Sequence, residues 1–264
     1  MRVKIDATLS YFLPAPTDVL LAVEALPLPD QTIVAERLDV FGPASLSPVE
    51  KDQERGRMRW MEANGEITLE YEATVDVSRQ PVNLSGMYVP PRRELPVEAI
   101  PYLFPSRYCE SDRLETFVAT RFGHLVGGDQ VLRMVEWIQE SFAYVPGSST
   151  AETTATDSFL KRQGVCRDYA HVLITFARAA GIPARMVSAY APGLQPPDFH
   201  AVVEVWLDGA WRLVDPSRMS REDNLVRICS GRDATDISFM TIFGSANLNS
   251  QMVAVSVIEP AAQR

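Results

Sequence analysis

GVCRDYAHVLITFARAAGIPARMVSAY, residues 164–190, decides the fold. Apolar residues recur at helical spacing from about Cys166 to Ala180, directly after a glycine turn. Gly181 then supplies a left-handed stop and Pro183 forbids continuation, so the chain turns extended through Ala184 to Tyr190. The next stretch, PDFHAVVEVWLDGAWRLVDP at 197–216, has Asp208-Gly209 between two apolar runs, a strong two-residue hairpin signal. A turn at those two residues sets Trp206 opposite Trp211 and Val202 opposite Asp215. The expected core is a helix running straight into antiparallel strands.

Upstream of this core the pattern changes twice. Val131, Leu132, Val135, Ile138 and Phe142 trace a helical stripe, and Asp112 with Glu115 three residues later resembles a capping box opening an earlier helix. A proline-rich linker spans Pro90 to Pro105. Before it, Val3, Ile5, Ala7, Leu9 and Tyr11 alternate, as do Ile67, Leu69, Tyr71, Ala73, Val75 and Val77. Alternation of this kind marks half-buried strands, and the proline corners between them suit a β-sandwich or half-barrel. The reading is therefore α+β: an N-terminal β-sandwich-like domain over residues 1–100, and a domain over 101–264 with helices packed on an antiparallel sheet.

Cys166 falls at or near the first turn of its helix, where unpaired amide N–H groups create positive potential that favours thiolate over thiol. His200 lies diagonally from Asp215 on one face of the hairpin, and diagonal neighbours about 7 to 8 Å apart at the backbone can join imidazole to carboxylate. A thiol, a base and an orienting carboxylate are the parts that nucleophilic acyl transfer needs. His171, five residues after Cys166, points to a different side of the helix and reads as packing. Asp168 reads as a complement to the helix dipole. The polar run Arg232, Asp233, Thr235 and Asp236 fits equally a hydrogen-bonded loop or part of a cleft.

These residues also resemble a known family. The Gly-x-Cys helix start, the Gly-Ile-Pro-Ala-Arg bend, the His-Ala strand and the Trp-x-x-x-Asp-Pro strand, in this order over Phe142 to Arg218, are similar to the core of the transglutaminase-like superfamily. Its bacterial cysteine-protease branch is the nearer likeness, given the β-rich N-terminal region and the segment Gly231 to Gly244. The resemblance implies a papain-like thiol mechanism with Cys166 as nucleophile, His200 as proton shuttle and Asp215 as its orienter. The backbone N–H of Cys166 would be one oxyanion donor. Tyr144 is the candidate for the second, with a place in the core as its alternative reading. A peptide or protein substrate and no cofactor are implied. Hydrolysis through a thioester is the expected reaction, true acyl transfer to an amine its alternative among enzymes, and an inactive interaction scaffold the alternative from another class.

Composition narrows the field around that expectation. Lys+Arg total 25 against 34 Asp+Glu, a net charge of −9 that opposes nucleic acid and anionic membranes. Cys109, Cys166 and Cys229 are too few, too scattered and odd in number for a disulfide framework, and MRVKIDATLSYFL lacks the order of a signal peptide. A cytoplasmic location is therefore expected. No two cysteines sit at Cys-x-x-Cys spacing and no histidine pair shares a helix face, so no metal site is expected. The uncharged window Ile237 to Ile258 holds Gly244, Asn247, Asn249, Gln251 and four serines, and reads as a loop followed by a strand.

Overall fold

The computed structural model describes residues 1–49 and 55–258. The N-terminal strands are β1 (Arg2–Leu21), β2 (Gln31–Phe41), β3 (Ala44–Pro48) and β4 (Arg59–Val77). Short 3-10 turns lead into α1 (Glu115–Phe122), α2 (Gly127–Ser141), β5 (Ala143–Tyr144), α3 (Ala155–Lys161), β6 (Gln163–Gly164) and α4 (Cys166–Ala179). There follow β7 (Ala184–Tyr190), β8 (Phe199–Leu207), β9 (Ala210–Val214), β10 (Val226–Gly231), α5 (Ala234–Ile237), β11 (Met240–Ile242) and β12 (Asn247–Ile258).

Alternation builds the N-terminal region as expected. Val3, Ile5, Ala7 and Leu9 on β1, and Ile67, Leu69, Tyr71 and Val75 on β4, bury one face completely. Among the described residues the four N-terminal strands join β11 and β12 in one six-stranded antiparallel sheet, in which β1 is flanked along its first half by β4 and β12. The sheet bends where the pairing jumps from Leu13 with Gly65 to Thr17 with Ala63. Pro14 and Pro16 fall in that gap, where the absence of an N–H costs no ladder bond. The C-terminal strands β11 and β12 also pair with β1, so the chain crosses back over the boundary set at residue 100.

The second sheet runs β10-β7-β8-β9, all antiparallel, and α4 packs across β7 and β8. Core residues of both sheets and of α1, α2 and α4 belong to one continuous cluster. Polar pairs fasten the two halves: Tyr190 donates to the Val23 carbonyl at 2.7 Å, and Gln31 bonds the backbone of Arg227 in both directions. The expected capping box at Asp112 does not form, because Ser111–Arg113 makes a 3-10 turn and α1 opens after Leu114 without a side-chain cap. Such a box is found instead at Thr154 with Asp157, on α3, a helix too short to stand out in the sequence.

The hairpin forms in the expected register. Trp206 pairs with Trp211, their rings meeting edge to face at 5.1 Å, and Asp208 and Gly209 take φ of +49° and +71° as a type I′ turn demands. A Cβ on Gly209 would meet no atom within 4 Å, so Gly209→Val introduces backbone strain alone. We expect it to lower stability by about 1 to 2 kcal/mol, read as an earlier denaturant midpoint. An unchanged midpoint would show that the turn does not hold the register.

Candidate active site

α4 begins at Cys166 because the chain before it is tied down locally. The Asp168 carboxylate, 1% exposed, reaches back to accept the Val165 N–H at 2.8 Å. This satisfies one of the free donors of the helix start and sets an anion on its positive end. Gly164 is required for that cap, since a Cβ there would stand 2.5 Å from the Asp168 Cβ. Arg167 ties the same turn to the Thr150 carbonyl. Asp168 thus does what its sequence position suggested.

Cys166 is half-buried, whereas Cys109 and Cys229 are enclosed in the core. Burial pushes both of those thiols up to about 12. Each lies against a backbone carbonyl, of His171 and Ile237 respectively. They are inert packing residues, and Cys166 differs from them in access.

His200, 1% exposed, pairs through Nε2 with Asp215 Oδ2 at 2.8 Å, on the shared face that the hairpin register predicts. Its other nitrogen, Nδ1, is buried without a hydrogen-bond partner among the described residues, and Cys166 lies near enough to act on the charge of the ring. Burial alone would lower the imidazole pKa, but the bonds to Asp215 and Cys166 and their charges raise it to about 10. Asp215 moves the other way. Burial opposes its charge, yet His200 and the hydroxyls of Ser217 and Ser220 hold it below the usual carboxylate range.

The serines are the part of the site that sequence reasoning missed. Ser217 donates its N–H and hydroxyl to Asp215 Oδ1 at 2.9 and 2.6 Å, and Ser220 donates the same pair to Oδ2 at 3.0 and 2.6 Å. The signal was present in DPSRMS, an Asp followed by serines two and five residues on, the pattern of a carboxylate that organises its own turn.

Tyr144 is not a core residue: 36% of it is exposed. The parallel bridge of β5 with β6, which pairs Tyr144 with Gly164, carries its ring beside the start of α4. There its hydroxyl lies within reach of both the Cys166 N–H and Sγ, and burial followed by the charge of Cys166 pushes its pKa up to about 12. His171, fully buried, accepts the Ala234 N–H at Nε2 and stacks on Tyr108, so it belongs to packing. The Arg232 to Asp236 run makes a hydrogen-bonded loop, with Asp233 accepting from Tyr108 and Thr235 and Asp236 from Arg232. Among the described residues no three His, Cys, Asp or Glu side chains group closely enough to hold a metal, and no helix is long and apolar enough to cross a membrane.

The two shifts set a pH window. A raised His200 pKa contributes stability that is full below its unfolded value of about 6.5 and is lost as pH rises through about 10. A lowered Asp215 pKa contributes stability above its unfolded value of about 3.9, lost as pH falls through its folded value. Denaturant unfolding should therefore show stability declining between pH 7 and 10. In His200→Asn that decline should be shallower, and an identical slope in the variant would show that the ring is not held as a cation.

A cysteine opening a helix that packs on an antiparallel sheet, with a His-Asp pair on the adjoining hairpin, defines the class of fold. A model of the transglutaminase-like superfamily matches residues 115–216. A crystal structure of a candidate cysteine protease from Cytophaga hutchinsonii is 34% identical and superposes with a TM-score of 0.90, covering 100% of this chain and 92% of that one. A protein-glutamine gamma-glutamyltransferase of Pseudomonas aeruginosa is 37% identical over 91 residues, 30% of this chain and 14% of its own. An uncharacterised protein of Mycobacterium leprae is 27% identical over 119 residues, 41% of this chain and 42% of its own. The matched region spans less than half the length of these curated relatives. The chain belongs to the transglutaminase-like superfamily, and the likenesses support a thiol enzyme of that superfamily.

Proposed function

We propose that this protein hydrolyses peptide, isopeptide or amide bonds through a thioester on Cys166, with His200 and Asp215 completing a triad. The observation that carries the reading is the buried His200, bonded at 2.8 Å to Asp215 through one nitrogen, its other nitrogen left unpartnered, with the half-buried Cys166 near enough to act on the ring. The Cys166 sulfur adds to the carbonyl carbon, and the carbonyl oxygen becomes an oxyanion beside the Cys166 N–H. The His200 imidazolium gives its proton to the departing amine, leaving a thioester and a neutral ring. That ring then takes a proton from water as the hydroxyl oxygen adds to the thioester, and a second collapse releases the acid and leaves the Cys166 sulfur beside the protonated ring, as at the start.

Hydrolysis is favoured over transfer by the breadth of the likeness to the candidate protease, which covers the whole chain, against 30% of it for the transferase. The test is labelling of native protein by a thiol-directed electrophile near neutral pH, followed by peptide cleavage assays with and without a fluorescent primary amine. Adducts confined to Cys166 and cleavage without amine incorporation support the proposal. Amine incorporation into the acyl product favours the transferase reading, and labelling spread over all three cysteines removes the enzyme reading.

Tyr144 is proposed as the second oxyanion donor, because its hydroxyl stands beside the Cys166 N–H. Removing one such donor costs about 10²- to 10³-fold in kcat, so Tyr144→Phe should lose activity of that order with little change in KM. A gain in activity would show instead that the phenol blocks the site in the resting protein.

A further inference from the structure

Asp215 also lines a cavity of about 310 Å³ to which neither Cys166 nor His200 contributes, at the lower end of the range that takes small organic ligands. Its apolar lining includes Leu132 and Val135 of α2 and Trp211 and Leu213 of β9. Its polar lining is charged. Arg79, Arg212, Arg218 and Arg227 line it together with Asp30, Glu204, Asp215 and Glu222.

The carboxylates do not balance those arginines. Asp215 is committed to His200, and Glu204 is shared with Arg185, neither of which lines the cavity. Asp30 serves Arg79 and Arg227 at once. Two donors on these side chains, Arg79 Nη2 and Arg227 Nε, are buried with no hydrogen-bond acceptor. The Arg79 guanidinium is destabilised first by burial and then by the charge of Arg227 beside it. The Glu222 carboxylate accepts the Asp215 N–H at 3.3 Å and its backbone carbonyl accepts from Arg79 Nη1 at 2.8 Å, while the exposed Arg218 side chain makes no hydrogen bond or ion pair among the described residues. Positive charge is thus in surplus here, in a chain whose net charge is −9.

We propose that this cavity binds a small organic monocarboxylate with an aromatic or branched apolar body, its carboxylate drawn to Arg218 and Arg79 and its body seated against Trp211, Leu213, Leu132 and Val135. Arg218 offers a guanidinium fork free of other partners among the described residues, and Arg79 a single buried donor, Nη2, its Nε and Nη1 being engaged; together they suit a carboxylate in charge and hydrogen bonding. The rings and aliphatic chains of the lining supply the burial that a free inorganic anion would not use. The site is distinct from the thiol and does not depend on the proposed hydrolysis.

The test uses the full chain and 3-phenylpropanoate as probe, read by tryptophan fluorescence and confirmed by calorimetry. Saturable binding in the submillimolar range is expected, with the fluorescence change lost in Trp211→Phe while calorimetric binding persists. 3-Phenylpropanol, which has the same body without the charge, should bind at least about tenfold more weakly, and Arg218→Gln should weaken the acid by a similar factor. Arg218 is exposed, so that variant keeps its fold. Lack of saturable binding, equal affinity for the alcohol, or unchanged affinity in Arg218→Gln would each overturn the proposal. Because binding is read without turnover, its failure leaves the thiol reading intact, and an inactive thiol leaves this one intact.

Discussion

Replacing Cys166 by alanine should lower the cleavage of any amide substrate by roughly 10⁵- to 10⁶-fold, the scale seen when the nucleophile of a triad is removed. The half-buried thiol lies near enough to act on the imidazole, and the other two cysteines are too deeply enclosed to replace it. Electrophile labelling should vanish with the activity. The fold should survive, since a half-buried sulfur at a helix start contributes little packing and the Asp168 cap remains. Residues that act as one unit are not additive, so Cys166→Ala combined with His200→Ala should be scarcely slower than Cys166→Ala alone. A single variant that keeps most of its activity defeats the thiol mechanism. A double variant much slower than the single would mean that His200 works independently of the sulfur.

That the His200–Asp215 pair and the helix start at Cys166 could be read from sequence has a local cause. Gly164, Cys166 and Asp168 lie within one turn, and a two-residue loop at Asp208 and Gly209 fixes the offset between His200 and Asp215. Short-range geometry of this kind is written in a few adjacent residues. Tyr144 was left open because its place depends on the parallel bridge from Ala143 and Tyr144 to Gln163 and Gly164, a pairing of two-residue strands invisible in either segment alone. The return of β12 to β1 was hidden for a similar reason. Val253 meets Ala7 and Ser256 meets Lys4 across most of the chain length, and the strand of mixed polarity gives no sign of which edge it will cover. The kink in the six-stranded sheet falls at the two prolines in β1, and its β11 and β12 edge comes from that return.

Asp215→Asn should lower kcat by about 10²- to 10⁴-fold without abolishing turnover, and the hydrogen bonds around the carboxylate say how. Both oxygens of Asp215 face N–H donors: Ser217 at Oδ1, and Ser220 with His200 at Oδ2. An asparagine can offer an oxygen on one side only. Keeping it at the Oδ2 position preserves the bonds from His200 and Ser220 and opposes the new amide to one N–H, that of Ser217, whose hydroxyl can turn to accept. The reverse orientation would set N–H against N–H twice. The ring therefore keeps its orientation in the variant and loses the negative charge that stabilises it as a cation, so its pKa should fall well below about 10. Nitrogen NMR of His200 should report the same tautomer with an earlier titration, and the alkaline arm of the activity profile should move in step. If the variant kept both its rate and the high imidazole pKa, Asp215 would be a turn residue that happens to touch the histidine. If the ring instead changed tautomer and activity fell to the level of Cys166→Ala, orientation would outweigh charge in what the carboxylate contributes.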